Sequence, residues 1–347
     1  MSNMCFRRTA ATTLGLLLLL PALSACGDDA SAVEVGDLVV AREDSQFTDG
    51  TPSSLVLPIG RLEIFLGEPS EKLAATETRQ LEAVAAPAGS TFVPITWQYD
   101  AATFGDHAAY VGRATTPKVE LVSDDAGYQL PPPEATGEGG ESFYVLVSGS
   151  AKELELSVTY DGVEQSVDLA TGERKADDGA PIDELPAVST KTRNCERGAD
   201  FHGTKGFPDY SCRATRPIRL PYAAGAWAEP GRTFLALTVT TSVKRFDITG
   251  ILPGSGAVYL PASVRSTFEL DDAKPVAVLE DTSDTCPDLT KGGCTGRYAV
   301  VFDVPDDKSR FAMSLDQTFA LVLGSRWGGF EQADEMDLDV SIDLALK

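Results

Sequence analysis

Histidine is nearly absent from this chain. His107 and His202 are the only two in 347 residues, and they lie in different halves. Acid–base catalysis near neutral pH therefore has little raw material. Basic residues are also scarce: 29 lysines and arginines stand against 52 aspartates and glutamates, a formal net charge of −23. Nucleic acids and anionic lipids are recognised through basic patches, so this balance excludes nucleic acid as a partner. Its plainest use is solubility. After the first 25 residues no apolar run reaches the roughly 18 residues that a membrane-spanning helix needs. No G-x-S-x-G nucleophile elbow occurs, since Pro253 and Ala257 flank Ser255 where that motif needs glycines. A D-x-[DN]-x-[DN]-G calcium loop is missing too.

What is present begins with a leader. Arg7 and Arg8 form a positive start, Leu14 to Leu20 an apolar stretch broken by Gly15, and Ala22 and Ala25 are small residues near a cleavage point. This is the layout of a bacterial export signal over residues 1–25, too short to be a stable span. The Arg7-Arg8 pair leaves twin-arginine export open beside general secretion, but Thr9-Ala10-Ala11 is not the usual continuation. The leader ends in Leu23-Ser24-Ala25-Cys26, which resembles the lipobox of bacterial lipoproteins. That resemblance implies cleavage before Cys26 and diacylation of that cysteine. Each buried methylene contributes about 0.8 kcal/mol, so two acyl chains hold far better than one. We therefore expect a chain attached through Cys26 to the extracytoplasmic face of the cell membrane. Loss of Arg7 and Arg8 with the leader takes the net charge to −25.

Export bears on the cysteines. Besides Cys5 and Cys26 there are four, Cys195, Cys212, Cys286 and Cys294, all in the second half. An oxidising compartment makes disulfides the expectation. Pairing between sequence neighbours gives Cys195–Cys212 and Cys286–Cys294, with the two other pairings left open. A four-thiolate zinc site would need closer C-x-x-C pairs.

The rest reads as strand. Leu154, Leu156, Val158 and Tyr160 alternate with polar residues, Asp161-Gly162 follows, and Val163, Gln165, Val167 and Leu169 alternate again. Two such runs around Asp-Gly predict a hairpin with a type I′ turn. Phe143 to Val147 is apolar on both faces and predicts a central strand. Met336, Leu338, Val340, Ile342, Leu344 and Leu346 alternate with Asp337, Asp339, Ser341, Asp343 and Ala345, a strand with one face in a core. Residues 70–85 are ambiguous, and a strand through Leu81, Ala83 and Ala85 is favoured over a helix capped by Ser70.

The halves look alike. Thr91 to Trp97 has a counterpart in Thr233 to Val239. Glu141 to Val147 with the 154–160 run corresponds to Arg297 to Phe302 followed by Phe311, Met313 and Leu315. After Leu315 some twenty residues replace the tight turn before the final strand. The predicted organisation is signal peptide 1–25, lipidated Cys26 and tether 26–34, first β-domain 35–172, a linker 173–190 rich in Asp, Pro and Ala, and second β-domain 191–347 with the disulfides. The expected fold class is all-β, with two antiparallel β-sandwiches in tandem. A lipobox, a polar tether and tandem β-domains resemble the immunoglobulin-like (telokin-like) lipoproteins common among actinobacteria. The resemblance implies accessory or binding modules, many without an assigned activity, and carries over no functional residue.

Candidate sites are few. Asp106-His107 sits beside Phe104 and Gly105 in a loop-like stretch and reads as an exposed histidine. His202 falls between two cysteines. The acidic pairs Asp124-Asp125, Asp271-Asp272 and Asp306-Asp307 do not form a calcium loop, and Asp281, Asp284 and Asp288 around Cys286 are the weak calcium candidates. Trp97 and Tyr99 share one strand face and read as core rather than as a sugar platform. Trp227 and Trp327 sit at loop-like positions. Trp327, with Phe330 and Arg326, is the candidate binding surface. The expected function is binding or scaffolding at the cell envelope, with an unknown envelope protein or ligand as partner, no catalytic residues and no cofactor. A passive spacer, or a cell-envelope hydrolase, is the alternative.

Overall fold

Period-two alternation becomes antiparallel sheet throughout the residues that the computed structural model describes, namely 33–100, 107–133, 140–176, 182, 186, 191–203, 205–280, 286 and 293–347. The N-terminal half contains β1 (Leu38–Val40), β2 (Thr51–Leu57), β3 (Gly60–Leu66), β4 (Lys72–Leu73), β5 (Val84–Ala85), β6 (Ser90–Asp100), the four-residue helix α1 (Ala108–Val111), β7 (Lys118–Ser123), β8 (Ala126–Leu130), β9 (Glu141–Ser148), β10 (Leu154–Tyr160), β11 (Val163–Asp168) and β12 (Arg174–Ala176). They form two five-stranded sheets, β1-β9-β6-β3-β2 and β12-β11-β10-β7-β8, and a small β4-β5 ribbon. One apolar core takes Ile64, Val93, Ile95 and Trp97 from the first sheet and Leu121, Leu156, Val158 and Tyr160 from the second.

The doubly apolar strand β9 is central, between β1 and β6. Its Phe143, Val145 and Val147 enter the shared core. Tyr144 and Leu146 face a second cluster with Val39, Leu73 and Phe92. The Asp161-Gly162 turn has φ of 47° and 83° and joins paired Tyr160 and Val163. Both central residues lie in the left-handed region that a type I′ turn requires. Asp124-Asp125 (46°, 68°) and Asp271-Asp272 (48°, 66°) do the same. These acidic pairs are turn residues, because aspartate tolerates that conformation better than most side chains.

The C-terminal half contains β13 (Thr192–Asn194), β14 (Ala199–His202), β15 (Phe207–Thr215), β16 (Ile218–Leu220), β17 (Tyr222–Ala223), β18 (Ala226–Trp227), β19 (Arg232–Thr249), β20 (Gly256–Leu270), β21 (Ala277–Glu280), β22 (Cys294–Pro305), β23 (Phe311–Trp327) and β24 (Glu335–Leu346). Its ten-stranded sheet runs β13-β15-β19-β20-β23-β24-β14, with β16 and β22 also on β19 and β21 on β22. The long β19 pairs with β22 over Arg232 to Val243 and with β20 over Phe246 to Thr249. The segments matched in sequence hold matching places. Thr91 pairs with Val147, and in the second half Leu235 pairs with Phe302, a register two residues apart from the sequence match. Leu154 pairs with Ser123 and Met313 with Leu270, each just before an Asp-Asp turn.

Several expectations are corrected. The twenty or so residues expected in place of a tight turn after Leu315 are mostly strand: β23 continues to Trp327, because β20 offers it fourteen paired positions. In residues 70–85 only Lys72–Leu73 and Val84–Ala85 are strand, and Leu81 is an exposed turn residue with φ of 59°. His107 is buried, not exposed, and its Nε2 lies 2.6 Å from the carbonyl oxygen of Pro186. The disulfides pair sequence neighbours: Cys195–Cys212 with Cα atoms 5.0 Å apart, and Cys286–Cys294 with 4.2 Å.

The two halves exchange side chains. Tyr222 of the β17–β18 ribbon belongs to the N-terminal core, and Trp227 packs against it. Both rings meet Tyr160 edge-on, and the Trp227 indole N–H donates to the Tyr160 carbonyl at 3.0 Å. In return Tyr110 of α1 is buried among Ile218, Leu220, Ala223, Phe234, Ala236, Ala299 and Val301. Its hydroxyl meets Thr238 Oγ1 at 2.9 Å. Between the halves, Ile182 is buried and its carbonyl accepts from Arg174.

Candidate functional site

The β19–β20 hairpin ends in Gly250-Ile251-Leu252-Pro253-Gly254-Ser255. Gly250 N–H donates to the Ser255 carbonyl at 2.9 Å. Ser255 is buried, and its N–H and hydroxyl both bond the Leu252 carbonyl, at 3.0 and 2.7 Å. Gly254, with φ of 77°, supplies the reversal. This tight frame leaves the residues before it nowhere to pack. Ile251 is fully exposed and Leu252 is 66% exposed.

Trp327 stands beside that tip as the last residue of β23, opposite Gly256. Its ring lies against the backbone there: a Cβ on Gly256 would come within 2.7 Å of Trp327 Cζ2. The ring still leaves 44% of the residue in solvent. Gly328 and Gly329 turn the chain with φ of 64° and 68°. Phe330 is half-buried against the core, and its ring closes over Gly250. Arg326 donates through Nη2 to Asp334 Oδ1 at 2.5 Å and to the Gln332 carbonyl at 3.0 Å. Of the three residues singled out in the sequence, Trp327 offers surface, while Phe330 and Arg326 brace the loop that presents it. Phe207, 71% exposed, sits at the same end, where its strand pairs with Asp247 of β19.

The sequence reading missed Ile251, Leu252 and Phe207. A signal existed for the first two, since two large aliphatic residues directly before Pro-Gly put apolar side chains in a turn.

The other candidates fall out differently. Trp97 and Tyr99 are buried. The Trp97 indole donates to Glu141 at 3.1 Å and the Tyr99 hydroxyl to the Ile59 carbonyl at 2.5 Å. Burial raises the Tyr99 phenol well above its ordinary range. Together they floor a cleft of about 510 Å³ whose walls include Leu38, Val40, Pro131 and Pro133. The Arg79–Asp44 ion pair, at 2.5 Å, also borders it. Trp227 is a core plug, as described above.

His202 lies exposed on β14, with Nε2 2.9 Å from Ser341 Oγ and 3.8 Å from Asp200 Oδ2. Hydroxyl and carboxylate thus meet the same ring nitrogen. A nucleophilic triad needs them on opposite nitrogens, so that one takes the proton while the other is held. Cys26, Asp281, Asp284 and Asp288 lie outside the described residues. Among the described residues no group of three or more His, Cys, Asp or Glu side chains is placed to hold a metal ion, and no helix is long and apolar enough to cross a membrane. No family pattern matches the chain, and no curated protein matches it.

Proposed function

We propose that this chain is a lipid-anchored extracytoplasmic binding protein. In this reading it is built of two immunoglobulin-like sandwiches and engages an envelope partner through Ile251, Leu252 and Trp327. The leader and Leu23-Ser24-Ala25-Cys26 support the anchor. Strand connectivity supports the domain type. From β6 the chain crosses to the other sheet, makes the β7–β8 hairpin, returns beside β6 as β9, crosses again beside β7 as β10, and makes the β10–β11 hairpin. This order is compatible with the Greek-key connections of immunoglobulin-like sandwiches and supports that reading. The β19–β22, β20–β23 and β23–β24 pairs repeat the β6–β9, β7–β10 and β10–β11 pairs, while β19 also pairs directly with β20 and so joins the strands into one sheet. In that scheme the 250–255 and 328–334 connections correspond to loops that variable domains use for recognition.

One observation carries the binding reading. Ile251 is fully exposed beside a Trp327 that is 44% exposed, in a chain whose net charge is −23. A passive spacer has no use for a clustered apolar tip, which costs solubility. The interlocked halves favour rigidity and so suit the spacer reading equally. Crosslinking pull-downs of the anchored protein from its native envelope separate the two. The binding reading expects a discrete partner with the wild type, lost with Ile251→Asp or Trp327→Ala while the fold is kept. Identical capture by wild type and both variants would sink it.

A further inference from the structure

The sheet face beside that tip carries two aromatic rings. In one row Thr249 pairs with Gly256 and Gly256 with Trp327. In the next, Phe207 pairs with Asp247, Asp247 with Val258 and Val258 with Ser325. Ile248 and Ala257, which alternate with these residues along β19 and β20, belong to the core. The two rows therefore face away from it.

The Trp327 ring takes the space that Gly256 leaves empty. A Cβ there would lie 2.7 Å from Cζ2 and 3.1 Å from Cε2. The indole is thus backed by the neighbouring strand, while 44% of the residue stays in solvent. Phe207, 71% exposed, lies two strands from Gly256, about 10 Å across the sheet. Around the rings are groups that bond hydroxyls. Thr249 and Ser325 are exposed, and no other side chain among the described residues engages their hydroxyls. Arg245 Nη2 lies 3.2 Å from Asp247 Oδ2, so donors and an acceptor stand there with their charges matched. Arg326 is matched in the same way by Asp334.

These features select a ligand class. The matched pairs give the face no preference for a charged ligand, and the net charge of −23 repels polyanions. The large exposed apolar side chains here are Phe207, Ile251, Leu252 and Trp327, whereas a stable protein–protein interface takes about 20–30 residues a side. A sugar ring has apolar C–H faces that stack on an aromatic ring, and a rim of hydroxyls that need polar partners. Two aromatic rings on one face suit two sugars of the same chain. β19 also sets where the face lies. Its Phe234 and Ala236 share the cluster that holds Tyr110 of the N-terminal half. Thr249 is 15 residues beyond Phe234, about 50 Å along the strand. The face is thus carried away from the half that follows the anchor. We propose that it binds an uncharged polysaccharide of the envelope, with one sugar on Trp327, a second on Phe207, and hydroxyls bonded to Thr249, Ser325 and the Arg245–Asp247 pair. The proposal rests on the binding reading above and names the chemistry of its partner.

The test uses the full chain in neutral detergent. The probe is polysaccharide from the native envelope, freed of protein by protease and of lipid by solvent, and split by anion exchange into neutral and acidic fractions. The neutral fraction should bind with an affinity that changes little with salt. It should also shift tryptophan emission to the blue through Trp327, because Trp97 is buried and Trp227 packs against the core. Trp327→Ala should weaken binding on the order of tenfold, Trp327→Phe should restore part of it, and Phe207→Ala should weaken it less. Val35→Ala, at an exposed apolar site in the N-terminal half, should leave it unchanged. Circular dichroism shows that each variant is folded. No binding of the neutral fraction, preference for the acidic one, or equal binding by folded Trp327→Ala would each overturn the proposal. Trp327-dependent capture of an envelope protein, with no polysaccharide bound, would overturn it and leave the binding reading standing. If Trp327→Ala changes capture of neither polysaccharide nor protein, both fall.

Discussion

Replacing Tyr110 by alanine should loosen both halves at once. The side chain is 2% exposed and sits in a cluster otherwise supplied by the C-terminal half. Truncating a buried aromatic of this size costs about 3–5 kcal/mol, against a typical total of roughly 5–15 kcal/mol for a folded domain. Tyr110→Phe isolates the hydroxyl. It strands Thr238, also buried, and should cost about 1–2 kcal/mol. Urea unfolding followed by tryptophan fluorescence reads both effects, because Trp97 lies in the N-terminal core and Trp227 in the plug between the halves. With a slope of about 3 kcal/mol per molar urea, the alanine variant should lose roughly 1–1.7 M of midpoint. The wild type should unfold in one transition at both probes. Separate transitions in the wild type, or a Tyr110→Ala midpoint within about 0.2 M of it, would refute the interlock.

Other outcomes follow from buried and paired groups. Gln317 accepts from Tyr210 at 3.0 Å and donates to Thr241 at 3.0 Å and Ser266 at 2.8 Å inside the C-terminal core. Gln317→Leu should therefore cost about 3 kcal/mol by calorimetry, and Tyr210→Phe about 1 kcal/mol. Asp271 is held below its ordinary 3.8 by the Lys308 ammonium, then by the Ala312 N–H. A lowered folded pKa means stability that is present above the unfolded value and lost as pH falls through the folded one. Asp271→Asn, which keeps the left-handed turn, should melt below wild type at neutral pH and draw level with it as pH falls through the lowered folded pKa. A deficit that persists in acid would place the effect in packing. Replacing Cys195 and Cys212 together by alanine opens a closure of 17 residues and should lose about 2–4 kcal/mol in denaturant, more than reduction of the Cys286–Cys294 closure of 8.

Much of the fold was legible because local signals and global packing agreed. The Asp161-Gly162 hairpin, the doubly apolar 143–147 strand and the alternating C-terminal strand all sit where periodicity put them. The errors arose where tertiary contact overrides local pattern. His107 is buried, and its Nε2 meets the carbonyl oxygen of Pro186, 79 residues away. The plug residues Tyr222 and Trp227 lie in a two-plus-two ribbon too short to show a period. β23 runs past a polar stretch because its partner strand is long. At the candidate site, the sequence located Trp327 and the exposed Arg326, but put the half-buried Phe330 on the surface with them. The side-chain bond of Arg326 to Asp334 and the closure of Phe330 over Gly250 are three-dimensional facts with no local signature.

The anchored-module account can be tested most directly by the intact mass of the chain purified from its own membrane. The account requires a polypeptide beginning at Cys26, heavier than residues 26–347 by the acyl groups on that cysteine. A native chain that keeps Met1, or one cleaved elsewhere and free of lipid, would contradict it.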